Sequence, residues 1–195
     1  MIMRKPLLIL LPAVIALAGC GHSPPTRFYT LDAAPPAAPP VVYAGPPVRI
    51  GQVYVPAVLD RGEVVEQSGA TQLKVNDFDH WGAPLGQLIR SALESDLNAR
   101  LPAGDLLPDA GPVPDGTATI MITVLSVNRT ASGLVMDVTW TRTVAIKSDA
   151  QAAPRQVTTS HSLRLQSGPV DASPQGYATG LSQMTGQLAD AVIAY

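Results

Sequence analysis

Few residues in this chain have the type and spacing that chemistry requires. The three histidines, His22, His80 and His161, stand far apart, and no two of them have the spacing of metal ligands. Asp77 and Asp79 are paired carboxylates, but a predicted helix follows them, so we expect them to cap its exposed N–H groups rather than to act as acid and base. The sequence contains no nucleophile elbow, phosphate loop, dinucleotide-binding turn or zinc-protease helix. It therefore predicts a protein that is not an enzyme and has no metal ion or cofactor.

One residue has a clear chemical role, and it is Cys20, the single cysteine of the chain. Residues 17–20 read Leu-Ala-Gly-Cys, which resembles a bacterial lipobox. In such signals the thiol receives diacylglycerol, the chain is cut before the cysteine, and the new amino terminus is acylated. Two basic residues and a short apolar run over residues 7–16 come first, in the order of a secretory signal peptide. We predict a lipoprotein signal peptide over residues 1–19 and lipidation of Cys20. The alternative is a secreted soluble protein with an incidental cysteine.

Acylation at Cys20 implies a membrane anchor. Three acyl chains, at ~0.8 kcal/mol per buried methylene, make such attachment effectively permanent. Gly21 follows the cysteine, where an aspartate would resemble the signal for retention in the inner membrane. We therefore expect a lipoprotein that is anchored in the outer membrane, with palmitate among its acyl chains, and that faces the periplasm.

Composition and charge exclude several classes of protein. Of the 195 residues, 46% are hydrophobic and 14% are charged, which excludes a charge-rich disordered chain. The formal net charge is -2, and the predicted signal holds two of the 13 basic residues and none of the 15 acidic ones, so the mature chain carries -4. That balance excludes a basic nucleic-acid-binding protein. The 19 prolines and 16 glycines are too many for a helical bundle.

Residues 20–47 have the composition of a lipidated tether that is rich in proline and alanine. Such a segment favours extended polyproline II and acts as a semi-rigid spacer. At ~3.1 Å per residue, it would hold a domain several tens of ångströms from the membrane. One part differs, because Arg27-Phe28-Tyr29-Thr30-Leu31 alternates large side chains. This pattern indicates either a strand that pairs with the edge of the domain or an adhesive segment of the tether.

Residues 48–195 are predicted to form one folded domain. Apolar residues recur at helical spacing after Trp81 and again after Ser173, which can cap the second helix. Alternation predicts a strand at the start of the domain, a short strand pair, and three long strands, the first two joined by a hairpin turn over residues 130–133. Two layers suffice to bury both helical stripes and the apolar sheet face. We predict an α+β fold, a two-layer sandwich in which two amphipathic helices cover one face of a mostly antiparallel sheet.

Leu59, Asp60, Arg61 and Trp81 lie outside the predicted apolar stripes. The first three follow the first strand of the domain, and Trp81 stands at the start of the first predicted helix. One hypothesis is that they form a surface that binds a partner. The other is structural: Asp60 and Arg61 pair within the domain and fix the start of the helix, with Trp81 packed over them or serving as a hydrophobic staple.

These features, in this order, resemble a known family, the PqiC/YmbA-type ABC transport auxiliary lipoproteins. Members typically have a lipobox cysteine, Leu-Asp-Arg, then Trp-Ala-x-Pro-Leu and a leucine-rich helix that ends in Leu-Pro. Here Gly82 stands where alanine is usual. The segments that carry the resemblance are Cys20, Phe28-Tyr29-Thr30-Leu31, Val55-Pro56-Ala57, Leu59-Asp60-Arg61, Asp79-His80-Trp81-Gly82-Ala83-Pro84-Leu85 and Asp96-Leu97-Asn98-Ala99-Arg100-Leu101-Pro102.

The resemblance implies a non-enzymatic subunit of an MCE-type lipid transport system. Its expected partners are a periplasmic MCE-domain protein and an inner-membrane permease, which together move lipids between the two membranes and maintain envelope integrity. Because MCE assemblies are rings, the resemblance also suggests a homo-oligomer that gains avidity from many contacts. The alternative is a stand-alone periplasmic lipoprotein that binds lipid or another small molecule in an apolar cavity between the sheet and the helices.

Overall fold

The computed structural model describes residues 24–36, 43–68, 71–146 and 155–195. The predicted signal peptide and Cys20 lie outside the described residues. Neither of the helices within those ranges is long and apolar enough to cross a membrane. The described elements are β1 (Arg27–Tyr29), β2 (Val48–Tyr54), β3 (Glu63–Ser68), β4 (Gln72–Trp81), α1 (Leu85–Asn98), β5 (Leu106–Leu107), β6 (Ala118–Thr130), β7 (Gly133–Ile146), β8 (Arg155–Gln166) and α2 (Pro174–Ala194).

Strand β6 is the centre of the sheet. β7 pairs with it in the antiparallel direction, and β8 pairs in the same way with β7. On the opposite edge of β6, β2 and then β3 pair with it in parallel, β4 extends the sheet from β3, and β1 pairs with β4. The long ladders β6–β7, β7–β8 and β3–β4 are antiparallel as predicted, but the shorter pairings are parallel, so the sheet is mixed rather than purely antiparallel. β2 and β6 run parallel because α1 lies between them in the chain, and a crossover of this kind joins parallel strands.

Both helices cover the same face of the sheet, which confirms the predicted α+β sandwich. Buried and more exposed residues alternate along β6 and β7, so one face of the sheet is apolar. The helices contact each other, and they pack on β2, β7 and β8 to enclose one continuous core. The largest fully buried side chains of that core are Trp140, Tyr177, Ile50, Leu85, Ile89, Leu93, Leu97, Ile120, Ile122, Leu134, Met136 and Leu181.

The hairpin and the last helix follow their local sequence signals. Gly133 has a φ of 136° in the predicted turn between β6 and β7, and a Cβ atom there would meet the carbonyl oxygen of Gly168. Glycine is required at such a position because other residues rarely adopt this backbone conformation. At the start of α2, the Ser173 hydroxyl accepts a hydrogen bond of 3.0 Å from the N–H of Gly176, and Pro174 follows the cap. Both features confirm the predictions.

The prediction that Asp77 and Asp79 cap a helix is wrong. Both residues lie in β4, which continues to Trp81. Helix α1 begins at Leu85, and its N-cap is Pro84, which provides no side-chain hydrogen bond. The strand is longer than predicted because partners from distant parts of the chain hold this stretch extended, as described below.

Candidate functional site

The four residues singled out in the sequence come together where the chain passes from β2 to β3, beside the last residue of β4. After β2, the N–H groups of Leu59 and Asp60 donate to the carbonyl oxygen of Pro56 at 2.8 and 3.1 Å, which closes a tight turn. The N–H of Trp81 donates to the carbonyl oxygen of Gly62 at 2.7 Å and joins this turn to the end of β4. Tertiary hydrogen bonding thus places the Leu-Asp-Arg segment beside Trp81.

Leu59 and Trp81 are core residues. Leu59 is 2% exposed and Trp81 is 5% exposed. The Trp81 ring lies 6.3 Å from the ring of Tyr177 on α2, measured between centroids. The two side chains therefore stabilise the turn from inside and present no surface of their own.

Asp60 and Arg61, by contrast, are exposed. Arg61 Nε lies 3.4 Å from Glu63 Oε2, so its ion-pair partner among the described residues is Glu63 and not Asp60. The predicted pairing of Asp60 with Arg61 does not occur there. The buried Leu59 and Trp81 thus support a short loop whose charged side chains point to solvent.

A groove begins at this loop and runs along α1. It consists of two adjoining depressions of about 480 and 500 Å³, and Asp60 lines the first. Gln87, Arg90 and Asp109 line both. Arg90 Nη2 lies 3.0 Å from Asp109 Oδ1 and donates to the carbonyl oxygen of Ile50 at 3.0 Å. The hydrogen bond from Arg90 holds the pKa of Asp109 below its ordinary value, so this wall carries a fixed ion pair near neutral pH.

Sequence reasoning missed Arg90 and Asp109. Arg90 lies on the polar face of the predicted helix and Asp109 in a loop that is rich in proline and glycine. Neither position carries a motif, and only the packing of the loop against α1 brings the two side chains together.

The segment from Arg27 to Ala34, named the arm here, is part of the folded domain. β1 pairs in parallel with β4. Of the two interpretations of this segment, the strand that pairs with the edge of the domain is therefore confirmed. Arg27 Nε and Nη2 donate to the two carboxylate oxygens of Asp79 at 2.8 and 3.1 Å, and the Tyr29 hydroxyl donates to Asp79 Oδ1 at 2.9 Å. Burial by itself raises the pKa of Asp79, but these hydrogen bonds outweigh it and hold the pKa below its ordinary value.

A second contact fixes the other end of the arm. The N–H of Ala34 donates to Asp96 Oδ1 at 2.7 Å, and Arg100 Nη1 donates to the carbonyl oxygen of Ala34 at 3.3 Å. Arg100 also donates to Asp96 Oδ1 at 3.3 Å and to Asp190 Oδ1 at 2.7 Å. Burial raises the pKa of Asp96, although the Ala34 N–H and Arg100 oppose the shift. Since Leu31 is also a core residue, much of the arm, which falls in the segment predicted as a tether, packs on the domain.

The described residues offer no evident centre for chemistry. No group of three or more metal-ligating side chains comes together within the ranges that the structure covers. His161 is stacked on Trp140, with ring centroids 4.9 Å apart, and His80 lies beside Phe28. The space between helices and sheet is filled by core side chains such as Met136 and Leu181.

Comparisons with known proteins agree with this view of the fold. A crystal structure of an uncharacterized protein, 20% identical, covers 87% of this chain and 97% of its own with a TM-score of 0.59. A Xanthomonas campestris protein of the DUF330 family, 11% identical, covers 85% of this chain and 92% of its own with a TM-score of 0.52. None of the curated proteins matches the chain.

The family model for the ABC-type transport auxiliary lipoprotein component matches residues 29–193. The match begins inside β1 and ends near the last turn of α2. It therefore includes part of the arm together with the whole sandwich. The chain belongs to the family of ABC-type transport auxiliary lipoprotein components of the PqiC/YmbA type.

Proposed function

We propose that this chain is the outer-membrane lipoprotein of an MCE-type lipid transport system. It docks the periplasmic MCE-domain protein, which works with an inner-membrane permease, and so helps to maintain envelope integrity. The observation that carries the proposal is the family match over residues 29–193. An auxiliary subunit needs a surface for its transport system, and the described residues offer an exposed charged loop that continues into a groove.

The docking surface consists of Asp60, Arg61 and the adjoining groove, with Leu59 and Trp81 beneath it. Asp60 lines the first depression of the groove, and the ion pair of Arg90 with Asp109 lines both depressions. Charged groups at the rim of an interface act mainly on the association rate and on partner choice. Their removal is expected to weaken docking while leaving the core, and so the melting temperature, nearly unchanged.

The test compares Asp60→Ala and Arg61→Ala, each measured for melting temperature and for capture of the MCE-domain protein. The matched control is Arg164→Ala, which removes another exposed arginine from an ion pair, with Asp137 at 2.7 Å on the outer face of the sheet. We expect reduced capture for the first two variants and normal capture for the control. Normal capture by both loop variants would refute the docking surface, and equal loss in the control would mean that any lost charge has this effect.

The anchor is tested separately at Cys20. Cys20→Ser is expected to yield an uncut or soluble protein that takes up no labelled palmitate. Fractionation of the wild-type chain is expected to place it with the outer membrane. Palmitate uptake by Cys20→Ser would contradict the lipobox assignment, whereas a wild-type chain in the inner membrane would contradict only the sorting assignment.

The stand-alone lipid-binding function gives a different result in the same experiments. It requires the chain to copurify with lipid from native membranes and to capture no MCE-domain protein. The filled space between sheet and helices favours the docking function, because an apolar ligand would have to displace buried side chains there.

Self-association is part of the proposal. Strand β8 has 12 residues and pairs with β7 along one edge, and among the described strands none pairs with its other edge. Such an edge is able to pair with a second chain. Light scattering of the mature domain at high concentration is expected to show multimers, and a strict monomer would contradict this part.

A further inference from the structure

Strand β1 lies close in the chain to the proposed lipid anchor. Only residues 21–26 separate Cys20 from Arg27, the first residue of β1. A fully extended chain spans at most ~3.3–3.6 Å per residue, so the Cα atoms of Cys20 and Arg27 can be no more than about 25 Å apart. The inference developed here rests on the proposed lipidation of Cys20.

The arm prevents the domain from moving farther from the membrane than this short link allows. Arg27 and Tyr29 hold one end of the arm through Asp79. Asp96 and Arg100 hold the other end through the backbone of Ala34. The proline-rich residues that follow the arm therefore connect two attached parts of one domain. They do not add to its distance from the anchor, in contrast to the long spacer that composition suggests.

The part of the sheet nearest the anchor exposes aromatic side chains. Phe28 on β1 is 70% exposed, the highest value among the large hydrophobic residues that the structure describes, and Phe78 on β4 is 42% exposed. The rings of Phe28 and His80 lie 5.8 Å apart, measured between centroids. We name Phe28, Phe78 and His80 the aromatic edge. β1 forms this end of the sheet, and β4 is its only strand partner among the described residues.

We propose that the aromatic edge rests on the phospholipid surface into which the acyl chains of Cys20 insert. The interfacial layer outside the hydrocarbon core is several ångströms thick on each side of a bilayer. Apolar side chains that reach this layer leave water and strengthen attachment. The acyl anchor supplies the attachment itself, and the aromatic edge sets the orientation of the domain on it.

Lipid fits this edge better than a charged partner does. The mature chain carries -4, so long-range attraction to anionic lipid does not hold it to the bilayer. The contact is apolar and local, and it should depend little on the fraction of anionic lipid. Because the acyl anchor already holds the domain at the membrane, the contact of the aromatic edge with lipid is effectively intramolecular. A small apolar area is therefore enough to maintain it.

The test measures how close the aromatic edge comes to lipid. Phe28→Cys and Phe78→Cys place a thiol on the aromatic edge, and Cys20 itself is blocked by acylation. The acylated full-length chain is labelled with a fluorophore and reconstituted into vesicles of phosphatidylethanolamine and phosphatidylglycerol that contain spin-labelled lipid. The matched control is Val157→Cys, which is 43% exposed on β8, the strand at the far end of the sheet. We expect labels at 28 and 78 to lose most of their emission and the label at 157 to keep it.

The outcomes separate the aromatic edge from the anchor. Flotation with vesicles and palmitate uptake report on the anchor alone, and their absence would refute lipidation rather than the orientation. A chain that floats with vesicles but shows equal quenching at 28 and 157 would overturn the aromatic edge. A fluorophore at residue 28 that becomes shielded from water only after the MCE-domain protein is added would also overturn the lipid contact, because the aromatic edge would then be a protein interface.

Discussion

Gly186 on α2 tests whether the arm is docked as the structure has it. A Cβ atom at this position would lie 2.6 Å from the Cβ of Ala34, which is closer than two carbon atoms that are not bonded to each other normally approach. The same Cβ would lie 3.7 Å from the Cα of Ala34 and 3.5 Å from Arg100 Nη2, which are ordinary contacts. The Gly186→Ala change therefore meets one obstacle, the Ala34 methyl group.

The sign of the effect depends on that methyl group. In the wild-type chain, overpacking costs typically ~1–3 kcal/mol, against a gain of about 1 kcal/mol from replacing glycine by alanine inside a helix. We expect a net loss of roughly 0–2 kcal/mol in the free energy of unfolding. In an Ala34→Gly background the obstacle is absent, and Gly186→Ala should stabilise the protein by about 1 kcal/mol. Ala34→Gly keeps the backbone N–H and carbonyl that bind Asp96 and Arg100.

The assay is a double-mutant cycle by urea unfolding of the Cys20→Ser chain made without residues 1–19. It takes Gly186→Ala, Ala34→Gly and the double variant, and it reports the coupling free energy between the two positions, expected at ~1–3 kcal/mol. The entropy cost of the added glycine in the unfolded chain cancels in the cycle. If Gly186→Ala has the same effect in both backgrounds, the arm does not pack on α2 and the reasoning is refuted.

Three further predictions concern buried side chains. Burial raises the pKa of Asp79 but the hydrogen bonds from Arg27 and Tyr29 hold it below the ordinary 3.8, so β1 pairing is stabilised above that pH. The β1 amides should therefore lose their protection from hydrogen exchange as the pH falls below 3.8 and Asp79 becomes protonated. Asp79→Asn should abolish that pH dependence. Tyr177→Phe should raise the free energy of unfolding by about 1 kcal/mol, because the buried hydroxyl has no hydrogen-bond partner among the described residues; lower stability would show an unseen partner. Trp81→Ala should cost ~3–5 kcal/mol in thermal unfolding, and a change near zero would show that the ring is not a core side chain.

The sequence alone was enough for the elements that local signals define. The start of α2 follows from Ser173 and Pro174, and the hairpin follows from Gly133, because caps and turns are built from neighbouring residues. Apolar periodicity was enough for the two-layer α+β sandwich, since each stripe and each apolar face must be covered. The family resemblance likewise rested on short segments of adjacent residues.

Only the tertiary structure decided which strands pair in parallel and how far β4 extends. Asp77 and Asp79 lie at a spacing that suits a helix cap, but Asp79 instead accepts hydrogen bonds from Arg27, 52 residues away. A local pattern cannot distinguish a capping carboxylate from one that binds a distant arginine, because the free energy comes from the distant partner.

The same physical reason applies to the arm and to the groove. Composition predicts a spacer for residues 20–47, yet Ala34 is bound between Asp96 and Arg100. The pairing of Arg90 with Asp109 depends on how a loop without any motif folds back on α1. Periodicity and composition describe what each segment tends to do by itself, whereas these contacts exist because packing brings together residues that the chain keeps far apart.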